Sequence, residues 1–297
     1  ETSIINVETA RSLVLQAQSS PSQGLWRVIV VEDADRLGES GANALLKAIE
    51  EPPEHTVWLL CAPSPEDMIA TIRSRCRHLG LRIPTASSVA DLLVREGGTT
   101  PEVALEAARA AQSHIGLARA LARDPQMRER RRAIITAPAS VRSVGEAVMA
   151  ADRLLETAKA QADAQVSERN AREKAELMRQ LGMDEGESAT KASRTMIRQL
   201  EEDQKRRSKR ALTDAIDRAL IDLLAIYRDV LMVQVGGDGE LINTDLSDLV
   251  HRIAQDSTPR QTLARVDHIE TARKRLVSNG NPLLVLEDMA ISLRPQA

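Results

Sequence analysis

The sequence predicts an α/β module followed by an all-α remainder, and three observations carry that reading. Two short apolar runs, Arg27–Val31 and Thr56–Cys61, flank an amphipathic segment stopped by Pro52-Pro53; strand, helix, strand implies parallel pairing through a helical crossover. From Pro84 onward the apolar residues recur at spacings of three and four, the period of helices. The chain is 42% apolar and 28% charged, ordinary for a folded globular chain, but it holds no Phe, one Tyr and two Trp. Leu, Ile, Val, Ala and Met must therefore fill its cores.

In chain order, residues 3–18 carry Ile4, Ile5, Val7, Leu13, Val14 and Leu15 among polar positions, which predicts a short extended piece and then a helix. Ser19–Gly24 is a loop. Arg27–Val31 is a continuous β-branched run ending in acids, the pattern of a strand buried on both faces. Ser40 is placed to cap a helix whose Leu45, Leu46 and Ile49 share one face, and Pro52-Pro53 ends it. Thr56–Cys61 reads as a second buried strand and Glu66–Arg73 as a short helix. A helix from Ser87 or Ser88 to Glu96 stops at Gly97-Gly98. The next starts at Thr100-Pro101-Glu102, with cap and proline in favoured places, and a third covers Ile115–Arg123. From about Val141 the pattern is again helical: 143–181 and 190–233 are two long stretches separated by Gly182–Gly186. Leu212, Ile216, Ala219, Leu220, Leu223, Leu224, Tyr227 and Leu231 make a buried stripe on the second. Residues 157–180 and 196–210 are mostly charged and predict a projecting, solvated helical hairpin. Asn279-Gly280-Asn281-Pro282 is a turn before a last helix, Leu283–Leu293.

The 297 residues suffice for two or three domains with their own cores. Forty Lys and Arg against 43 Asp and Glu give a net charge of −3, so no global positive field holds the chain on nucleic acid. Lys205–Arg210 is a local basic run, but it follows Glu201-Glu202-Asp203; a solvated helix face and a DNA contact both stand as readings. Cys61 and Cys76 are the only cysteines and lack metal-ligand or CxxC spacing, which fits a reduced cytosol. The five histidines show neither metal spacing nor a nucleophile partner, and Trp26 and Trp58 are expected in or at the edge of the core. No apolar run approaches a membrane span and no signal-peptide pattern opens the chain.

Two groups of residues carry possible chemistry. Glu32-Asp33, at the end of the first strand, stand where a P-loop ATPase places its Walker B acids, one holding magnesium and the next orienting the attacking water. Here the pair is inverted, and an Asp at the second position is a methylene too short for that water. Acids that merely end a strand in a turn are the other reading. No GxxxxGK[ST] occurs, so this stretch has no lysine loop to cradle phosphates. Ser74-Arg75-Cys76 offers a planar, permanently charged guanidinium suited to developing phosphoryl charge. A solvated arginine between Arg73 and Arg77 is its plainer reading.

Asn43-Ala44-Leu45-Leu46-Lys47-Ala48-Ile49-Glu50-Glu51-Pro52-Pro53, then a strand, then Ser74-Arg75-Cys76 together resemble the AAA+ ATPase module of sliding-clamp loaders, over residues 3–83. The resemblance implies that 1–83 is the C-terminal part of a AAA+ core, 84–126 a three-helix lid, and 127–297 a helical collar with the polar hairpin at about 157–210. It makes Arg75, with Ser74 and Cys76 as its motif, an arginine finger acting in trans on a neighbour's nucleotide. Glu32 and Asp33 become a degenerate Walker B. Ala62 stands where the family has a polar sensor, with Ser64 two positions later. Ser113–Arg119 resembles the sensor 2 helix, with Arg119 as its basic residue; a solvated helix arginine is the alternative. Asn281–Glu287 looks like the end of the family's collar. Glu50 and Glu51 are read as orienting the core, not as catalytic groups.

The inverted acids, Ala62 and the retained Ser-Arg-Cys are most similar to the stator subunit of the bacterial DNA polymerase III clamp loader. That implies a pentameric ring with gamma/tau and delta subunits, and contact with the sliding clamp and primed DNA through the complex in the bacterial cytosol, without a membrane. ATP and magnesium would sit on neighbouring subunits and no cofactor on this stretch. The resemblance further implies that the assembly is part of a DNA-directed DNA polymerase, a nucleotidyltransferase, and that this chain itself is without polymerase or independent ATPase activity. The chain opens at Glu1 already in an amphipathic pattern, so an upstream portion is expected, with a P-loop remnant and a Cys-rich zinc module. The alternatives are the ATP-hydrolysing gamma/tau motor, with an intact P-loop upstream, and a helical scaffold with a vestigial ATPase module.

Overall fold

A computed structural model of the chain describes residues 5–19, 21, 24–181 and 191–294. The chain forms two compact units, Glu1–Arg82 and Ile83–Ala297. The first is α/β and the second all-α, as the sequence predicts.

In the first unit, helix α1 (Val7–Gln18) begins where Asn6 Oδ1 accepts the Thr9 amide at 2.8 Å. Strands β1 (Arg27–Val31) and β2 (Thr56–Leu60) pair in parallel, with Arg27 opposite Thr56 and Val31 opposite Leu60. Helix α2 (Glu39–Glu50) makes the crossover between them. Its cap is Gly38, not Ser40, which lies inside the first turn. Gly41 has a packing role: a Cβ there would stand 3.0 Å from the Ile5 carbonyl oxygen, where Ile5 bridges Leu37.

The strands are not buried on both faces, contrary to the expectation from their continuous apolar runs. Ile29 and Val31 are buried, whereas Val28 and Val30 are more than half exposed, as is much of Val57 and Leu59. Apolar residues of α1 and α2 pack with Ile29, Val31, Trp58 and Leu60 on one face, and no described element covers the other. Trp26 also departs from expectation: it is 57% exposed and meets His55 edge-on, ring centroids 5.1 Å apart. The single helix expected over 66–73 is two pieces, a 3-10 turn at Pro65–Asp67 and helix α3 (Ala70–Arg73). Met68 and Ile69 are extended between them and pack against the core. Burial of these two side chains outweighs one more turn of local hydrogen bonding.

The second unit opens with α4 (Ala86–Glu96), α5 (Pro101–Ala110) and α6 (Ile115–Arg123). Thr85, Thr100 and His114 cap them through their side chains, and Gly97 leaves α4 at φ +81°. Their core holds Ala104, Ala107, Ala108 and Ala118 around Val89, Leu93 and Leu121; such short side chains let helix axes come close. Helix α7 (Pro125–Ser140), capped by Asp124, fills a stretch for which the sequence predicted no element. Arginines occupy a full turn of it and conceal its apolar stripe.

Helices α8 (Val144–Gln180) and α9 (Lys191–Gln234) are the two long stretches expected. The connecting Gly182–Gly186 lies outside the described residues. Helices α10 (Ser247–Gln255), α11 (Pro259–Val277) and α12 (Pro282–Ser292) complete the unit. The main core gathers Leu155, Leu220, Leu223, Ile226, Val230, Val250, Ile269 and Leu286, so the predicted α9 stripe faces inward. Towards the far end of the α8–α9 hairpin the buried residues are small, among them Ala158, Ala162 and Val166 on α8 and Ala211 and Ser193 on α9. Polar cross-links do the rest. Arg207 reaches Glu173 at 2.8 Å and Asn170 at 2.7 Å, Gln204 donates to the Asn170 carbonyl at 2.9 Å, and Lys174 lies 3.3 Å from Glu201. Arg206 and Lys209 of the basic run likewise have protein partners, Asp203 and Asn279. Among the described residues no helix is long and apolar enough to cross a membrane.

Candidate functional site

Arg75 follows directly on α3, where Ser74 closes the helix and the turn continues, the Arg75 amide donating to the Ile72 carbonyl at 3.0 Å. Ile72 is fully buried and pins this turn against the sheet-side core. The Arg75 side chain folds back along the turn. Its Nη1 donates to the Thr71 carbonyl at 3.0 Å and to Ser74 Oγ at 3.4 Å. Its Nε lies 3.2 Å from Glu50 Oε2, at the last residue of α2. Ser74 Oγ itself donates to the Thr71 carbonyl at 3.1 Å. Nη2 has no partner among the described residues, and the side chain keeps 35% of its surface exposed. The guanidinium is thus held at Nη1 and Nε, and Nη2 makes no hydrogen bond among the described residues. Cys76 is a free thiol, and partial burial pushes its ionisation above the ordinary cysteine value. A thiol held protonated is a poor nucleophile, so the motif's chemistry rests on its arginine.

Glu32 and Asp33 leave the end of β1, where the Cys61 amide donates to the Val31 carbonyl and the Ala34 amide to the Cys61 carbonyl. Asp33 is in the left-handed region at φ 49° and ψ 44°, and its carboxylate pairs with Arg36 at 3.3 Å. Glu32 is exposed. No hydrogen bond or ion pair joins either acid to Arg75 among the described residues. No group of three His, Cys, Asp or Glu able to hold a metal occurs among the described residues. Ser64 Oγ, the hydroxyl nearest to Ala62 in sequence, caps its own 3-10 turn and bonds the Glu66 carboxylate. That bond, before the amide and charge contributions, holds the Glu66 carboxyl below its ordinary range.

Arg119 belongs to the second unit. Its Nε and Nη2 fork onto the two oxygens of Glu96, at 2.7 and 2.6 Å, joining α6 to the end of α4. Arg123 approaches the same carboxylate at 3.6 Å. The fork lowers the Glu96 ionisation and raises that of Arg119. Arg119 is therefore neither simply solvated nor free. Its partner was missed in the sequence because 23 residues separate the two. Glu50 was singled out as an orienting residue, but its contact with Arg75 has no local sequence signature.

Comparison with known proteins bears on the first unit most directly. Residues 1–85 match the family model described as DNA polymerase III, delta subunit. The gamma/tau subunit of DNA polymerase III from Mycobacterium tuberculosis is 32% identical over 139 residues, 39% of this chain and 24% of that protein. The delta prime subunit from Yersinia pestis is 43% identical over 82 residues, 28% of this chain and 24% of that protein. The Escherichia coli delta prime subunit is 35% identical over 117 residues, 39% of this chain and 35% of that protein. The chain thus spans 24–35% of the length of these curated relatives. A solved structure of a DNA polymerase III gamma subunit-related protein from Thermotoga maritima aligns over 99% of this chain and 80% of its own, at 18% identity and a TM-score of 0.42. In its first unit the chain is thus similar to delta prime and gamma/tau subunits of DNA polymerase III alike.

Proposed function

We propose that this chain is the delta prime stator of a bacterial DNA polymerase III clamp loader and that Arg75 serves as an arginine finger for a neighbouring subunit's ATP. The observation that carries the reading is the state of Arg75: two nitrogens held by Thr71, Ser74 and Glu50, and Nη2 without a partner among the described residues. A fixed fork with free N–H groups suits charge that develops on a transferring phosphoryl group. The inverted order of Glu32 and Asp33 supports a subunit that completes another's site over one that hydrolyses its own nucleotide. In this reading the first unit is the C-terminal part of a AAA+ core, 84–126 is the lid and 127–297 is the collar. Gamma/tau and delta are the ring neighbours, and clamp and primed DNA are met through the assembly in the cytosol. Arg119, forked onto Glu96, serves lid packing in this subunit, although its place matches a sensor 2 arginine.

The test is Arg75→Ala in the full-length subunit, reconstituted into the complete clamp loader. Assembly should be unchanged, while turnover at the adjacent ATP site falls by about 10³-fold, the low end for an arginine finger. Total DNA-stimulated ATPase then loses that site's share. Wild-type turnover would refute the reading. The gamma/tau motor is the second reading, favoured by the 32% identity to the mycobacterial gamma/tau subunit. It requires tight ATP binding by the isolated full-length protein, which the stator reading does not.

A further inference from the structure

Glu50 occupies a position that local physics disfavours. It is the last residue of α2, and Glu51 follows as the C-cap. Carboxylates at a helix C-terminus oppose the backbone dipole, so this acid gains nothing from its own helix. Its one partner among the described residues is Arg75, 3.2 Å away and 25 positions on in the chain. Of the three groups that hold the Arg75 guanidinium, the Thr71 carbonyl and Ser74 hydroxyl belong to the same turn as the arginine. Glu50 alone comes from another element, and it alone carries charge.

Resting on the reading that Arg75 acts in trans, we propose that Glu50 is its positioning residue. The carboxylate meets the guanidinium at Nε, so that the outward N–H of Nη2 is left to meet a phosphoryl oxygen across the subunit boundary. A long side chain held in one rotamer before the neighbour arrives loses less entropy when it engages. The pair is substantially exposed, 35% and 55% on its two sides, so water screens it. Its effect is therefore a modest bias in orientation, not a lock.

The experiment compares Glu50→Ala, Glu50→Gln, Arg75→Ala and the double variant, each in the full-length subunit within the reconstituted clamp loader. Glu50→Ala should lower kcat at the adjacent ATP site by about two- to fivefold, the range an exposed ion pair can supply. KM for ATP should stay constant, because the finger acts in the transition state. Glu50→Gln keeps an acceptor for Nε and should stay within about twofold of wild type. In the Arg75→Ala background, Glu50→Ala should add nothing. The melting temperature of Glu50→Ala should match or exceed wild type, since an unfavourable dipole contact is removed. Arg75→Ala with full activity would overturn the trans-finger reading itself. Arg75→Ala inactive with Glu50→Ala at wild-type kcat would overturn the positioning role alone. A further loss in the double variant, or a lowered melting temperature for Glu50→Ala, would mark Glu50 as structural and equally overturn it.

Discussion

Replacing Asp222 by alanine is expected to destabilise the helical unit strongly, although the residue lies outside its apolar core. Asp222 and Arg131 are only 8% and 10% exposed, with Arg131 Nε 3.1 Å from Oδ1, and Arg218 Nη2 lies 3.5 Å from the same oxygen. Burial pushes the Asp222 carboxyl above its ordinary range, outweighing the downward pull of Arg131 and then Arg218. Arg131 and Arg218 offset part of the cost of burying this carboxyl. Removing one member of a buried pair costs about 3–5 kcal/mol, because the other charge remains buried without its counter-ion. Arg131 Nη2 keeps the Asn243 Oδ1 acceptor at 2.5 Å, which puts the expected loss near the lower end, about 3 kcal/mol. In a unit of this size that lowers the melting temperature by about 6–12 °C. Thermal unfolding of the full-length protein, followed by circular dichroism at neutral pH, measures it. Asp222→Leu combined with Arg131→Met removes both charges and fills the space; it should recover at least about 2 kcal/mol relative to Asp222→Ala. A melting temperature for Asp222→Ala within about 2 °C of wild type would show that the pair is effectively solvated and refute the reasoning.

Tyr227 is the one tyrosine of these 297 residues, so within them its titration has a single source. Burial pushes its phenol from the ordinary 10.0 to about 12, with Arg265 pulling weakly the other way. Because the folded value is raised, the stability this group contributes is intact below pH 10 and is lost as pH rises through about 12. The tyrosinate absorbance of the native protein should rise near 12, and a midpoint near 10 would contradict the burial. Gly280 lies in a Schellman-type turn after α11: its amide donates to the Arg275 carbonyl at 2.8 Å, and Asn279 is left-handed at φ 61°. A Cβ at Gly280 would meet that carbonyl oxygen at 2.8 Å and Val285 Cγ2 at 3.0 Å. Gly280→Ala should therefore cost about 1–3 kcal/mol in a denaturant titration, and an unchanged midpoint would show that the turn yields.

Much of the fold was legible because its punctuation is local. Thr100-Pro101 and Asn281-Pro282 mark helix starts that the structure reproduces, and the third short helix, Ile115–Arg123, has its predicted limits. What could not be read depends on distant partners. Helix α7 was missed because Arg131, which looks like a surface residue, is buried by Asp222 from 91 positions away. The expected helix over 66–73 breaks because Met68 and Ile69 pack against the core, a choice made by the assembled sheet and helices. The apolar runs of β1 and β2 gave the right elements but the wrong burial, since continuous hydrophobicity describes what a strand could cover, and only one face is covered here. At the candidate site, Ser74-Arg75-Cys76 was visible as a motif. The fold-back of Arg75 onto Thr71 and Glu50, and the fork of Arg119 onto Glu96, required the tertiary structure.

The most direct measurement is a structure of the full clamp loader, assembled with this subunit and trapped with a transition-state analogue of ATP hydrolysis. Arg75 Nη2 should lie about 3 Å from a phosphoryl oxygen of the neighbouring subunit's nucleotide, with Glu50 still against Nε. An Arg75 guanidinium facing bulk solvent, with the neighbour's phosphates ringed by other cations, would contradict the account.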